Sequence, residues 1–330
     1  MIILIIASEN DVHANHIAEL LKNKRVLRIC PNNFLETDFE IKFYSNADYR
    51  PSLKCDGQIY YANEIKSILC RDLNFTECLE SESLSIQLEY HERKASIEGF
   101  LKILKNNYWL NNPWNDDFAD NKLFQQHEAV LNGFSIPPSL TTNSPTAFLD
   151  FYRMHEGDVI IKQLSHISLI DDSELELGAS HDDAKVYGFY TSKVEKGHLD
   201  QIESIRRAPC LFQKHIKKKS DIRVTYVDGE CFSVEIDSQS DSRSLVDFRH
   251  VSNLPMKHFE LPDVLKKKLR TMLISWGLKF AACDFILTET GDLIFIEANV
   301  EGNWLWIEKE MNLNISGCIV NNLISARKDN

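Results

Sequence analysis

The chain is predicted to combine an α/β unit with a following α+β unit. Three observations point there: a β-α-β pattern at the start, two β-hairpin signatures in the second half, and a length of 330 residues, beyond what one hydrophobic core usually fills. Hydrophobic residues make up 43% and charged residues 26%, with no long biased tract, so the composition is that of an ordinary folded protein.

Ile2 to Ile6 is a continuous apolar run read as a buried strand, His13 to Leu21 an amphipathic helix, and Arg25 to Cys30 a second strand, with a right-handed crossover expected. Short strands are predicted near Glu40 to Tyr44, Gly57 to Tyr61 and Ile68 to Arg71, followed by a long helix from Ser83 to Asn106. The segment Asn111 to Asp120 carries Pro113, Trp114 and three Asp residues and breaks the periodic pattern, so the domain boundary is placed there. A helix over Lys122 to Asn132 stops at Gly133, a loop runs from Ile136 to Pro145, and a helix over Thr146 to His155 leads into a strand ending at Lys162. Arg223 to Ile236 alternates apolar and polar residues on both sides of Asp228-Gly229, the strongest short hairpin signal in the chain. A poorly patterned stretch follows, then a helix over Asp263 to Trp276 closed by Gly277, then a second hairpin. No internal repeat is present.

The balance of 37 Lys and Arg against 49 Asp and Glu, a net charge of -12, repels a nucleic-acid backbone and argues against such a partner. The apolar opening MIILIIAS lacks a basic n-region and runs into Ser8, Glu9, Asn10 and Asp11, so it is read as a strand and not a signal; no stretch is long enough to span a bilayer, and no membrane partner is expected. The 8 cysteines are scattered without CxxC or paired-His spacing, which disfavours zinc and suits a reducing cytoplasm.

The second hairpin carries the chemistry. If its loop is the dipeptide Thr290-Gly291, Asp284 faces Glu297 directly, and Asn299 lies two residues further on the same face. Like charges directly opposed on a sheet are destabilising, so the pair needs a cation or raised pKa values. Two carboxylates and an amide oxygen are hard ligands suited to Mg²⁺, which completes its shell with water and substrate phosphates. A solvated hairpin face is the other reading, and from the hairpin alone both stand. Lys162 at its strand end is either a phosphate-facing point charge or a snorkelling surface lysine. Cys210 to Ile216 is a strand whose exposed backbone could pair with a base edge, and Lys217 to Lys219 is a charged loop. Asp221, Arg223 and Arg249 supply charges that either compensate an anion or form surface ion pairs.

Together these segments resemble the ATP-grasp superfamily, and within it the graspetide (microviridin-type) ligases that close side-chain ester or amide rings in ribosomal precursor peptides. The resemblance is carried by NKLFQQHEAVLNGFSIPPSLTTNSP (Asn121 to Pro145), VIIK ending at Lys162, LFQKHIKKKSDIRVTYVDGECFSVEIDSQ (Leu211 to Gln239), VDFR ending at Arg249, and above all DFILTETGDLIFIEANVEGNWLWIE (Asp284 to Glu308). It implies a pre-ATP-grasp α/β domain over residues 1–115 and a two-lobed ATP-grasp domain over 116–330. It implies that Lys122, Lys162, Gln213, His215, Ile216 and Asp221 bind ATP, that Asp284, Glu297 and Asn299 hold Mg²⁺, and that Arg223 and Arg249 steady the γ-phosphate and an acyl phosphate. The partner it implies is a precursor peptide with leader and core, and it implies a homodimer.

Two departures are visible. Ser165 to Gly178 lacks the glycine-rich phosphate loop of many ATP-grasp enzymes, and SILCRDL (Ser67 to Leu73) stands where relatives carry an aromatic, arginine-rich strand. Arg71 is expected to bind the peptide or form a structural ion pair, and Asp182 and Asp183 are expected to meet a basic peptide residue. Two other functions fit the same resemblance: a ligase adding free amino acids to a protein tail or small acid, and a nucleotide- and peptide-binding scaffold without turnover.

Overall fold

The computed structural model describes residues 1–31, 40–42, 50–55, 57–71, 73, 83–164, 169–171, 185–187 and 191–326. The chain opens with β1 (Ile2–Ile6), α1 (Val12–Leu20) and β2 (Val26–Ile29), then β3 (Glu40–Lys42), β4 (Ser52–Cys55), β5 (Gln58–Tyr61) and β6 (Ile65–Cys70). The helix α2 (Leu84–Ile103) leads to β7 (Tyr108–Leu110). Every residue of β1 is buried, as its unbroken apolar run requires of a parallel strand covered on both faces. It pairs in parallel with β2 and β6, and β6 with β7, giving the order β2-β1-β6-β7, while β3, β4 and β5 form a separate antiparallel sheet. Asp11 caps α1 by accepting the amide of Ala14 at 2.6 Å.

The predicted break at Asn111 to Asp120 contains a helix, α3 (Pro113–Ala119). Its sequence looks like a loop because Pro113 occupies the first helical turn, where no N–H is needed, and Asn112 is the N-cap, accepting from the Trp114 amide at 3.1 Å. Helix α4 (Lys122–Leu131) follows, capped by the Asn121 side chain, and Gly133 past its end has φ +74, as a left-handed terminator does.

The next lobe consists of β8 (Ser139–Thr142), α5 (Pro145–Met154) and β9 (Val159–Lys162). Two short strands, β10 (Leu169–Asp171) and β11 (Lys185–Tyr187), pair with each other, and β12 (Ser192–Lys193) precedes 3₁₀ turns over Lys196–Arg207 and β13 (Cys210–Lys214). Its sheet runs β12-β9-β13-β8, all antiparallel.

The last lobe is a five-stranded antiparallel sheet in the order β16-β15-β14-β17-β18. Its strands are β14 (Ser220–Val227), β15 (Glu230–Ile236), β16 (Met256–His258), β17 (Phe280–Leu287) and β18 (Leu293–Asn299), with α6 (Asp263–Ser275) between β16 and β17. The hairpin β14–β15 turns at Asp228-Gly229, both with positive φ, and pairs Val227 with Glu230 as predicted. Helix α6 packs Leu269, Met272 and Leu273 against the sheet. Helices α7 (Leu305–Met311) and α8 (Ile315–Ser325) return to the start of the chain, where Ile315, Ile319 and Leu323 share a core with Ile3, Ile5 and α1. The last segment is therefore a covering layer for the N-terminal parallel sheet. Among the described residues, no helix is long and apolar enough to cross a membrane.

Candidate active site

The hairpin β17–β18 sets Asp284 opposite Glu297, though by a different route from the predicted one. Leu287 pairs with Leu293, so the loop spans Thr288 to Asp292 and not a dipeptide, and that register alone would set Asp284 against Ile296. A bulge between Asp284 and Phe285 on one strand, with Ile296 as the extra residue on the other, restores the Asp284–Glu297 pair and pairs Ala282 with Asn299. Past the bulge, Glu297 and Asn299 share the face of Asp284, Ile286 and Ile294, while Phe285, Phe295 and Ala298 point into the core.

The opposed carboxylates are answered first by cations of the protein. Nη1 of Arg223, on the strand next to Asp284, donates to both of its carboxylate oxygens at 2.9 Å. Glu297 Oε2 lies 3.7 Å from Nζ of Lys122 and its Oε1 4.0 Å from Nη1 of Arg249. Burial, helped by the charge of Glu297 and opposed by Arg223, still raises the Asp284 pKa. Burial likewise lowers the pKa of Lys162 and of Lys122, against the pull of Glu297. The site is thus dry, with more charge than it can settle internally.

A cleft between the two antiparallel sheets collects most of the predicted residues. Its wall on one lobe carries Lys162, Gln213, His215 and Ile216, and its wall on the other carries Asp221, Arg249, Asp284 and Glu297, with Ile160, Ile286 and Ile296 as apolar surface. The strand Cys210–Lys214 is an interior one, paired with β9 on one side and β8 on the other, so its backbone is not the open edge predicted. What reaches the cleft is its continuation, His215 and Ile216. Gln213 is 1% exposed; its Nε2 donates to Ser139 Oγ at 2.9 Å and its Oε1 is a buried acceptor without a partner. An acceptor in that state on a cleft wall suits the amino group of a base. A second cavity of about 430 Å³ adjoins the first and shares Phe248, Arg249, Asp284 and Glu297 with it, adding Arg223, Asn299, Asn303 and Trp306.

Several contributors were not foreseen. Asp247 is 5% exposed and holds Arg249 in a fork, accepting from Nε at 2.8 Å and Nη2 at 2.6 Å. Burial alone would raise its carboxyl, but those hydrogen bonds outweigh it and bring the pKa to about 2. Lys218, read as part of a solvated loop, is 7% exposed and its Nζ lies 2.6 Å from Asp221. Gln125 of α4, 2% exposed, donates to the carbonyl of Ala298 at 2.8 Å and accepts from its amide at 2.9 Å. It thereby serves as a substitute strand along the edge between Glu297 and Asn299. The stop of this helix at Gly133 is legible in the sequence; a glutamine on its buried face aimed at a distant strand leaves no local trace.

Of the three residues expected to meet the peptide, one lies among the described residues. Arg71 is 8% exposed and is not in the cleft: its Nη1 donates to the carbonyl of Glu301 at 2.9 Å, its Nε lies 3.4 Å from Asp11, and its guanidinium stacks 5.0 Å from the Trp304 ring. Arg71 thus sits in an ion pair with Asp11 and against the Trp304 ring, one of the two expectations for it. Asp182, Asp183 and most of Ser165 to Gly178 lie outside the described residues.

Two carboxylates and an amide on one face of the hairpin are hard oxygen donors of the kind a divalent cation takes, although among the described residues no group of three or more His, Cys, Asp or Glu is gathered closely enough to hold a metal ion. Each Asp284 oxygen keeps a lone pair beyond Arg223.

No family model matches the chain. Over 139 residues, 40% of this chain, it is 27% identical to N-acetylaspartylglutamate synthase A of Homo sapiens, of which the matched stretch is 34%. The chain thus spans about a third of the curated relative it matches. Solved structures cover nearly all of it. A RiPP-associated ATP-grasp ligase of Chryseobacterium gregarium, in complex with ADP and a leader and core peptide, superposes with a TM-score of 0.84 at 24% identity over 100% of this chain and 98% of that one. The macrocyclase MdnC of Microcystis aeruginosa MRC, bound with the precursor peptide MdnA, does so at 0.80 and 23% over 98% and 100%. The macrocyclase MdnB of the same organism does so at 0.76 and 26% over 98% and 99%. The mixed α/β and α+β architecture of this chain is the ATP-grasp ligase fold in the form taken by the peptide macrocyclases.

Proposed function

We propose that this chain is an ATP- and Mg²⁺-dependent ligase that closes rings in a ribosomal precursor peptide. It activates Asp or Glu side-chain carboxylates as acyl phosphates and joins them to a Thr or Ser hydroxyl, as an ω-ester, or to a Lys amine, as an ω-amide. The observation that carries the reading is one wall, built of Phe248, Arg249, Asp284 and Glu297, where the cleft between the sheets and a second cavity meet, with Arg223 lining the second. The ligands in the similar structures, ADP and precursor peptides, agree with one substrate on each side of that wall.

In this reading Lys162 and Lys122, both held less basic by burial, face the phosphates, and Gln213, His215 and Ile216 take the base with Asp221 near the ribose. Asp284, Glu297 and Asn299 would hold Mg²⁺, which supplies charge neutralisation at the transferring phosphoryl group. The substrate carboxylate attacks the γ-phosphorus from the second cavity, the bond from that phosphorus to the bridging oxygen breaks and ADP leaves, with Arg223 and Arg249 flanking the crowded oxygens. The hydroxyl or amine then adds to the acyl carbon, the C–O bond to phosphate breaks, and the nucleophile's proton leaves. Asp247 keeps Arg249 aimed throughout. Residues 1–115 form the pre-ATP-grasp domain and 116–330 the two-lobed catalytic domain. The enzyme works as a homodimer in the reducing cytoplasm, in keeping with free thiols at all seven cysteines among the described residues.

The test is incubation with ATP, Mg²⁺ and the short peptide encoded beside the gene, one with Thr, Asp and Glu clustered near its end. Loss of one water from the peptide mass per ADP formed is expected. A gain in mass with free glutamate present would favour the second reading, addition of an amino acid to an acid, which the similarity to N-acetylaspartylglutamate synthase A supports. Absence of ADP with every peptide offered would leave a binding scaffold.

A further inference from the structure

We propose that Arg71, from the N-terminal parallel sheet, is the positioning residue for the amide donor of the metal site, acting through the backbone of Glu301. The inference rests on reading Asn299 as a metal donor. Asn299 ends β18, and its Oδ1 accepts the amide N–H of Glu301 at 3.1 Å. The carbonyl of that same Glu301 accepts from Nη1 of Arg71 at 2.9 Å. One residue therefore holds the Asn299 side chain with its N–H and is itself held by Arg71 with its C=O.

The guanidinium has little freedom to release it. Nη2 donates to Asn303 Oδ1 at 3.3 Å, Nε lies 3.4 Å from Asp11 Oδ2, and the plane lies over Trp304. The turn is also tied at neighbouring points, by Gly302 N donating to Asn299 O at 3.3 Å and by Asn111 Nδ2 donating to Val300 O at 3.4 Å. Those bonds fix the backbone of the turn; the bond from Glu301 fixes the rotation of the Asn299 amide. With Oδ1 anchored by one lone pair, its other lone pair is presented to a cation at a set angle. A lysine at position 71 would keep the charge beside Asp11 but has no fork to span Glu301 and Asn303 together. Through this contact the first domain, which contributes no residue to the cleft wall, sets the geometry of the third donor.

The consequence is selective. Lys162, Lys122 and Arg249 are carried by other elements, so the metal-independent part of nucleotide binding does not depend on Arg71, whereas the metal-dependent part does. The experiment measures ADP affinity by calorimetry, in excess Mg²⁺ and in EDTA, for wild type and Arg71→Lys. Wild type is expected to bind more tightly with Mg²⁺; Arg71→Lys loses about tenfold of that affinity with Mg²⁺ and keeps its EDTA value within about twofold. Equal losses in both buffers, or none in either, overturn the inference alone. A wild-type protein that binds ADP no better with Mg²⁺ overturns the metal reading itself and this inference with it. Should Arg71→Lys not fold, Asn303→Ala, which removes one acceptor of the fork, is expected to lose about threefold with Mg²⁺ and nothing in EDTA; no change there overturns the inference equally.

Discussion

Replacing Gln125 by Met tests whether strand β18 depends on a side chain 173 residues away in sequence, in a different element, by an effect that can be sized. Strand β18 is the edge of its sheet, and Gln125 satisfies both the N–H and the C=O of Ala298, a residue 1% exposed. Methionine fills a similar volume but cannot donate a hydrogen bond. Two backbone groups are then buried without partners, at about 1–3 kcal/mol each; taking about 1.5 for each gives about 3 kcal/mol. The Ala119 carbonyl, which also accepts from Gln125 at 2.9 Å and is buried, is a third group left without that donor, so about 3 kcal/mol is a lower figure. The loss should appear as local opening of β18. At about 1.4 kcal/mol per factor of ten, the Ala298 amide and its neighbours should exchange with solvent about a hundredfold faster, while α6 and β1 keep their protection. Hydrogen exchange followed over the peptide from Leu293 to Trp304 reads this directly. Acceleration below about fivefold would refute the edge-strand argument.

Other outcomes follow from the same geometry. Glu297→Gln should lower ADP formation at least a hundredfold with little change in melting temperature, because losing the attraction to Lys122 at 3.7 Å is offset by relief of the repulsion with Asp284; steady-state turnover and a thermal melt check both halves. Gly302→Ala should destabilise by about 1–3 kcal/mol and slow turnover. Its Cβ would sit 2.2 Å from that of Ala282 and 3.0 Å from Nη2 of Arg223, so strand and arginine must both shift; urea unfolding together with turnover reads it, and an unchanged midpoint refutes it. His13, 5% exposed and stacked on Trp304 at 4.3 Å, has its pKa lowered from 6.5 to about 4, by burial and then by the charge of Arg71. The folded state thus favours the neutral ring, so stability is whole above pH 6.5 and falls as pH drops from 6.5 to about 4, by at most about 3 kcal/mol. His13→Phe should flatten that limb of the urea midpoint against pH; parallel curves for both proteins would refute the assignment.

What the sequence made legible were elements whose signal is local and repeated. Five consecutive apolar residues place β1, a trailing glycine ends α4, and Asp228-Gly229 between alternating runs specifies the first late hairpin. Strands β4, β7, β8 and β16, of three or four residues, were not foreseen, because a period of two cannot be told from chance over so short a run. Residue types suited to phosphate and metal stood out in order along the chain, yet the partners that hold them did not. Asp247 holding Arg249 is local but looks like any surface pair, and Gln125 and Arg71 act across more than a hundred residues. For Arg71 the sequence leaves a peptide contact and a structural ion pair both open, because its charge is visible there while its burial is not.

The hairpin that carries Asp284, Glu297 and Asn299 shows how a correct pairing can arise from an incorrect loop. A dipeptide turn at Thr290-Gly291 and a regular ladder would oppose Asp284 to Glu297, but such a ladder cannot bury both Phe295 and Ala298, three residues apart and therefore on opposite faces of an unbroken strand. Both are buried, at 0% and 1% exposure. One extra residue must intervene, and the chain places it at Ile296, with the longer loop from Thr288 to Asp292 compensating the register. The spacing of apolar residues in LIFIEAN thus demanded the bulge, and the bulge is what turns Glu297 and Asn299 to the same face as Asp284 while the core keeps Phe295 and Ala298. A deletion of Ile296 would restore strict alternation, keeping Phe295 and Ala298 on the core face and Glu297 and Asn299 on the face of Asp284, so the pairing should survive loss of the bulge. Packing of the hydrophobic face, not the ligands themselves, is therefore what assembles the site.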